Sequence, residues 1–552
     1  MWFFIVLGIK LILYPLLTII VLALLKDLTF FARSWRYLFQ DIRFKYVPVL
    51  GFGLYVKAKN SQNELENYVK MFEDKKLAPG RSLDILLINS PTNAMPCIFI
   101  NEKKLLNEYY KVEPEVSYKT DFSEMPVKHS FIYDKGKRAL TNRAIFAEIF
   151  FSKNLRKIAP SIFKVIEKYV EKIKKRVNSA QEDSVGDQNH EKISKIDPKR
   201  EKSESEKVQR KGQNPQNNAS KGAIEVDLQE YSLSIFTEIT GLVLFGEEVP
   251  EVEGVKLTEL ILKSVALIVS TAYKLPNVLS FRMYRKLGFQ SEYNEGMRLK
   301  EIINKKLSET VQRRANSKSY KRGVNVIDLI LNKNEELEAL GRSDEKLTPI
   351  EIIHNIYILI FAGVDTSKNT SEFSLYHLSR HPGLQASLRA HLTEKLYKNG
   401  LETNYDSYDD CEILGRFMKE ALRLYSPAWT GFPRVVTKDF NLGKHTIYKG
   451  TSIFIPYAAL HNKPEYYGEA GTFNEARFER KEELEKFSKH GYQPFGLGRR
   501  ACIGKNLAEI SVSMALACFL KHFELVEGSV ESRFVVEGSY GLEHCKVRLR
   551  AL

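Results

Sequence analysis

Cys502 stands in a frame of glycines and arginines, Phe495-Gly496-Leu497-Gly498-Arg499-Arg500-Ala501-Cys502-Ile503-Gly504, directly ahead of an apolar run from Lys505 to His522. That setting suits a thiol acting as a metal ligand. Unpaired N–H groups at a helix N-terminus carry partial positive charge and favour thiolate over thiol. Arg499 and Arg500 push the same way. Gly498 and Gly504 let the backbone approach a flat ligand and take positive φ where a turn needs it. With no second cysteine nearby, such a thiolate suits an iron already held by four other atoms, as in haem. The plain alternative is an inert, buried cysteine.

Two further clusters could carry chemistry. Phe361-Ala362-Gly363-Val364-Asp365-Thr366-Ser367 interrupts an apolar helical face. Glycine costs about 1 kcal/mol mid-helix relative to alanine, so Gly363 asks for a reason, and space for a small bound ligand is one. Thr366 can bond a carbonyl one turn back and open the helix locally. Asp365 holds an exchangeable proton. An acid beside an alcohol is the equipment for delivering protons to a bound oxygen ligand, and a polar kink is the alternative. Glu420 and Arg423 lie three apart on one helix face, ahead of Tyr425-Ser426-Pro427, which ends the helix. An exposed pair of that kind contributes less than about 1 kcal/mol.

The cysteine stretch resembles the haem-binding signature of the cytochrome P-450 family, Phe-x-x-Gly-x-Arg-x-Cys-x-Gly, at every fixed position. The resemblance implies that Cys502 is the axial thiolate on haem iron, that Phe495 packs near the sulfur, that Arg500 pairs with a propionate and that Gly504 belongs to the cofactor loop. The stretch around Asp365 and Thr366 resembles the family's oxygen-activation motif. Glu420 and Arg423 resemble its Glu-x-x-Arg motif, which implies a buried structural network with a third partner. Phe473-Asn474-Glu475-Ala476-Arg477-Phe478 resembles the box that supplies that partner, Arg477, with Glu475-Ala476 in place of the usual Pro-Glu. Arg434 occupies a position where the family often has a propionate-pairing arginine. Gly136 to Arg143 resembles the family's Gly-x-x-Trp-x-x-x-Arg helix, which makes Arg143 a second such arginine, although Ala139 replaces the tryptophan. The motifs follow family order, and the resemblance covers roughly residues 45 to 552.

The elements that must position these groups begin with the ends of the chain. Residues 1–25 are apolar except for Lys10, close to the roughly 20 residues that span a bilayer. No small-residue cleavage site follows, which disfavours a signal peptide. Lys26, Arg33, Arg36, Arg43 and Lys45 come next, and the positive-inside rule places the remainder in the cytosol. The expected organisation is a membrane anchor over 1–26, a basic linker and hinge over 27–51, and a haem domain over 52–552. Residues 178–222 are rich in Lys, Glu, Ser, Gln and Asn and nearly free of large apolar side chains. They read as a disordered insertion.

Five dispersed cysteines and no Cys-x-x-Cys argue against a disulfide framework. The net charge of +15, from 83 Lys+Arg against 68 Asp+Glu, suits a membrane surface and an acidic electron donor; no stretch reads as a nucleic-acid motif. Helical periodicity runs over Asn154–Val177, Leu228–Phe245, Lys256–Tyr273, Gln290–Ala315, Val326–Asn332 and Thr348–Arg380. Strand signals lie at Val435–Asn441, Thr446–Pro456 and Lys546–Arg550. The fold class expected is mainly α with a small β region, which the resemblance makes a cytochrome P-450 fold.

The resemblance further implies a monooxygenase that activates dioxygen with electrons from a reductase, NADPH acting only through that partner, on a small apolar substrate drawn from membrane lipid at the endoplasmic reticulum. A haem-thiolate isomerase or dehydratase and a non-enzymatic haem sensor are the alternatives.

Overall fold

The computed structural model describes most of residues 96–552 and short stretches nearer the N-terminus, among them 32–37, 43–45 and 85–89. The expected membrane span and most of the linker and hinge lie outside the described residues, as do 120–126, 194–222, 275–290, 318–324 and 480–490.

Helices dominate. In chain order they include α1 (Lys103–Val116), α2 (Gly136–Ile149), α3 (Ser152–Ile193), α4 (Gln229–Phe245), α5 (Leu257–Lys274), α6 (Ser291–Ser317), α7 (Val326–Ala339), α8 (Pro349–Arg380), α9 (Pro382–Lys395), α10 (Glu412–Leu424) and α11 (Lys505–His522). The central one is α8. Thr348 and Glu351 close a reciprocal capping box at its start, Thr348 N donating to Glu351 Oε2 at 2.8 Å, with Pro349 in the first turn. Such a cap satisfies N–H groups that would otherwise lack partners. Pro382 follows its C-terminus and forces the break into α9.

The stretch Ser343–Arg380 is long and apolar enough to cross a membrane by length and composition, yet 67% of its apolar window is buried inside the fold. It is a core helix. Ile356, Tyr357, Ile360 and Phe373 on α8 are at most 1% exposed, and each such side chain contributes about 1.5–3 kcal/mol on burial. α8 packs on α4, α5 and α11.

The main sheet has strand order β1-β2-β3-β9-β6-β4, where β1 is Arg43–Lys45, β2 Ile85–Asn89, β3 Pro96–Ile100, β4 Ser117–Lys119, β6 Arg434–Val436 and β9 Ser452–Phe454. β3 and β9 run parallel, pairing Phe99 with Phe454. β7 (Phe440–Leu442) and β8 (His445–Ile447) form a hairpin. A second sheet orders β10 (Phe523–Glu527), β13 (Lys546–Ala551) and β5 (Ile224–Asp227). β11 (Phe534–Glu537) and β12 (Ser539–Leu542) form the C-terminal hairpin, which leans on α8: Phe373 packs against Phe534 and Tyr540 with ring centroids 5.8 and 5.2 Å apart.

Three sequence expectations need correction. Helix α3 runs on to Ile193, into the segment read as a disordered insertion; extending a formed helix adds one hydrogen bond per residue and needs no new nucleus, so a polar stretch with Ala180, Gln181 and Glu182 can continue it. The two long strands expected over 435–441 and 446–456 are four short ones, because the chain bends at Thr437 and Lys438 within the first and turns at Gly450 (φ +86°) within the second. Helix α7 extends well beyond Asn332.

Candidate active site

The cysteine loop is closed by its own backbone. Cys502 N donates to Phe495 O at 2.8 Å and Ala501 N to Gly498 O at 3.2 Å. Gly496 and Gly498 have φ of +69° and +71°, a region that L side chains resist. Cys502 thereby arrives two residues ahead of Gly504, which caps the N-terminus of α11. Gly504 itself has φ −86°, so the sequence expectation of positive φ applies to Gly498 and Gly496 rather than to it. A Cβ there would lie 3.9 Å from Cys502 Sγ, an ordinary contact. Of the five cysteines Cys502 is the exposed one and the other four are buried. Burial pushes the Cys518 thiol up to about 12 and holds Cys545 well above its ordinary value, so neither is placed to give a thiolate. Phe495 is half-buried.

The three arginines singled out in the sequence come to this region from three elements. Arg143 on α2 donates through Nη2 to Ala501 O, next to Cys502. Arg500 donates to Phe131 O at 2.9 Å and Asp134 O at 3.4 Å. Burial lowers the pKa of both; the field of Cys502 partly offsets this for Arg143, and that of Glu113 does so for Arg500. Arg434, on β6, instead pairs with Glu113 of α1 at 2.8 Å, both side chains being 4% exposed. Burial opposes its charge, but Tyr109, Tyr457, Glu113 and Tyr110 outweigh it and raise its pKa. Nothing in the spacing of the sequence pointed to Glu113, which is 321 positions away from its partner. Ala139, where the tryptophan was missed, is packed at 0% exposure.

These residues fit haem. A thiol that is exposed, glycine-flanked and near a helix N-terminus is a ligand waiting for a soft metal. Arg143 and Arg500 make their observed hydrogen bonds to carbonyls, and burial destabilises their charge, a situation that anionic propionates relieve.

On α8, Thr366 Oγ1 donates to Ala362 O at 2.8 Å, the one-turn back-bond expected from the sequence. Asp365 Oδ2 accepts from Ser539 Oγ at 2.5 Å. Both residues are half-buried. Gly363 is not explained by ligand space alone: a Cβ there would come 3.5 Å from Thr240 Oγ1 of α4, an ordinary contact.

Glu420 and Arg423 are fully buried rather than a surface pair. Arg423 Nε and Nη2 donate to the two Glu420 oxygens, each at 2.7 Å. Its Nη1 reaches His461 O and Ala470 O at 2.9 and 2.8 Å. Arg477 Nε joins Glu420 Oε1 at 3.3 Å from a 3₁₀ turn over Glu475–Phe478. Asn474 caps that turn through its side chain, doing without the family's proline.

The sequence pattern of the cytochrome P450 family matches residues 189–537, more than half of the chain. The chain belongs to the cytochrome P450 family. Cytochromes P450 hold haem through a cysteine thiolate and receive electrons from a reductase. This P450 is 33% identical over 203 residues to cytochrome P450 3A14 of Cavia porcellus, covering 37% of the chain and 39% of that protein. It is 34% identical over 184 residues to the mitochondrial 25-hydroxyvitamin D-1 alpha hydroxylase of Mus musculus, covering 33% and 35%. The chain thus aligns with about two fifths of the length of these curated relatives. The crystal structure of a cytochrome P450 (CYP102L1) superposes with a TM-score of 0.67 at 17% identity, over 88% of this chain and 98% of that one. At that identity the likeness establishes the P450 fold.

Proposed function

We propose that this cytochrome P450 is a haem-thiolate monooxygenase that inserts one oxygen atom from dioxygen into a small apolar substrate. The observation that carries the reading is Cys502: the exposed cysteine of the chain, framed by positive-φ glycines and set before the N-terminus of α11. Cys502 would ligate the iron, with Arg143 and Arg500 serving the propionates, Arg434 a further candidate already tied to Glu113, and Phe495 and Gly504 flanking the loop. When bound, haem supplies the iron that takes up dioxygen, and the thiolate adds electron density to it.

The rest is work for the chain's own residues. Thr366 spends its proton on Ala362 O, so its oxygen would serve as an acceptor for a water beside the haem site. Asp365 stores the proton to be passed on. Glu420, Arg423 and Arg477 hold the backbone ahead of the cysteine loop and take no part in proton transfer. Electrons come from a reductase. Arg499 and Lys505 are exposed beside the loop and suit an acidic partner. The anchor over 1–26 places the domain at the cytosolic face of the endoplasmic reticulum, where apolar substrates partition from the lipid. The Asp365–Thr366 pair favours this chemistry over an isomerase or dehydratase, which needs no proton delivery to dioxygen.

The test is the carbon-monoxide difference spectrum of the reduced, membrane-bound protein. A strongly red-shifted Soret band is expected, and Cys502→Ser abolishes it even where haem is retained. A red-shifted band that persists in Cys502→Ser overturns the assignment.

A further inference from the structure

Asp365 is held from outside its own helix. The donor to its Oδ2, Ser539 on β12, lies 174 positions away. Ser539 Oγ also meets Asn369 Nδ2 at 2.7 Å, Asn369 Oδ1 meets Lys368 Nζ at 2.9 Å, and Lys368 Nζ meets Glu372 Oε2 at 3.2 Å. The direction of each proton follows from the chemistry of the ends. An ammonium only donates, so the oxygen of the Asn369 amide faces Lys368 and its nitrogen faces Ser539. That nitrogen only donates, so the Ser539 oxygen accepts there. Its single proton is left for Asp365, whose Oδ2 accepts it.

The surroundings hold this order in place. Glu372 is 0% and the Lys368 side chain 16% exposed, so the Glu372 carboxyl and not bulk water faces the ammonium. A Cβ added at Gly541 would lie 3.1 Å from both polar atoms of the Asn369 amide, closer than a relaxed contact. The glycine lets the hairpin approach closely enough for Ser539 to reach α8. Burial pushes the Glu372 carboxyl up to about 7, with Lys368 pulling it back.

We propose that Ser539 is a positioning residue for Asp365: the one-way chain Lys368–Asn369–Ser539 turns the Asp365 carboxyl toward the C-terminal hairpin and holds it there. Release of Asp365 from that position would then be governed by the hairpin that carries Ser539 and Tyr540. The inference rests on the reading of Asp365 as a proton donor of a haem site.

The test uses the full-length, haem-loaded protein in membranes, reduced and exposed to carbon monoxide, with the C–O stretching band read by infrared absorption. That band responds to polar groups beside the ligand and requires no substrate. Ser539→Ala is expected to raise the population of Asp365 turned toward the ligand about tenfold, the scale of one charge-assisted hydrogen bond, and so to shift or split the band. Ser539→Thr keeps the hydroxyl and restores the wild-type band. Adding Asp365→Ala to Ser539→Ala removes the new component. Asn369→Asp keeps the shape and the Lys368 contact but withdraws the donor from Ser539; it must move the band in the same direction, and it carries the test if Ser539→Ala does not load haem. An unshifted band in Ser539→Ala, or in Asn369→Asp where that variant carries the test, overturns the proposal. A wild-type protein without thiolate-ligated haem overturns the functional reading beneath it instead.

Discussion

Arg477 Nε and Glu420 Oε1 stand 3.3 Å apart, although the turn that carries Arg477 lacks the proline usual in this family. The same oxygen accepts from Arg423 Nη2 at 2.7 Å and Asn474 N at 3.0 Å. Glu420→Gln therefore leaves the buried Arg423 guanidinium without its counter-charge. Removing one partner of a buried ion pair costs about 3–5 kcal/mol, and the urea midpoint should fall accordingly. Arg477→Ala, at the rim of the network with a side chain 11% exposed, should cost nearer about 1.5 kcal/mol. Equal losses in the two variants would contradict the assignment of Glu420 as the hub.

Gly496 has φ +69°, and a Cβ there would lie 3.1 Å from the Tyr457 hydroxyl. Gly496→Ala adds about 1–2 kcal/mol of backbone strain to that crowding, directly beside the cysteine loop. Haem bound per polypeptide should drop, measured as pyridine haemochrome against protein. Gly504→Ala, with an ordinary φ and a 3.9 Å neighbour, should retain more haem. The reverse order would show that the loop tolerates positive-φ substitution.

Glu372 gives a pH dependence with a definite sign. Its folded pKa is raised to about 7 from 4.5, chiefly by burial; Lys368 opposes the rise, while Asp365 on the same helix and Asp227 at the end of β5 add to it. Cys545 lies against its backbone carbonyl. The folded state binds the proton more tightly than the unfolded one, so this contribution is full below pH 4.5 and is lost as pH rises through about 7. Glu372→Gln should flatten that part of the stability curve and be the more stable form at pH 8. Denaturant titrations across the range check it, and an unchanged slope would remove Glu372 from the account.

Thr366→Ala removes the hydroxyl that bonds Ala362 O and that is proposed to take part in proton delivery, while leaving α8 intact. In reconstitution with a reductase and an oxidisable apolar probe, product per NADPH should fall by about one to two orders of magnitude, toward the low end of what positioned proton transfer contributes. Peroxide should rise in its place. Thr366→Ser should behave as wild type. Unchanged coupling in Thr366→Ala would exclude the hydroxyl from proton delivery.

The local groups of the site were legible because each motif is short and its physics is local. A thiol before a helix start, a threonine able to bond one turn back and a Glu–Arg pair at helical spacing all declare themselves within ten residues. Arg477 was legible in spite of its altered box because the arginine and Phe478 remain. Ser539 and Glu113 were not read as partners of Asp365 and Arg434, since their pairing depends on how the C-terminal hairpin and α1 dock, which no sequence period encodes. At Gly363 an added Cβ would meet Thr240 of α4; helical periodicity names a face but not the neighbour it meets. The strands expected over 435–441 and 446–456 are too long because strand-forming residues continue on both sides of the bend at Thr437 and Lys438 and of the turn at Gly450, while both interrupt the pairing.

Arg423 holds three carbonyls, those of His461, Ala470 and Thr472, at separations of 38, 47 and 49 positions along the chain. One buried guanidinium thus gathers backbone from a long stretch of chain onto the end of α10. That stretch has few regular elements of its own to set its path. Three of its carbonyls are fixed by one side chain of α10, so the route into the cysteine loop that follows is tied to that helix.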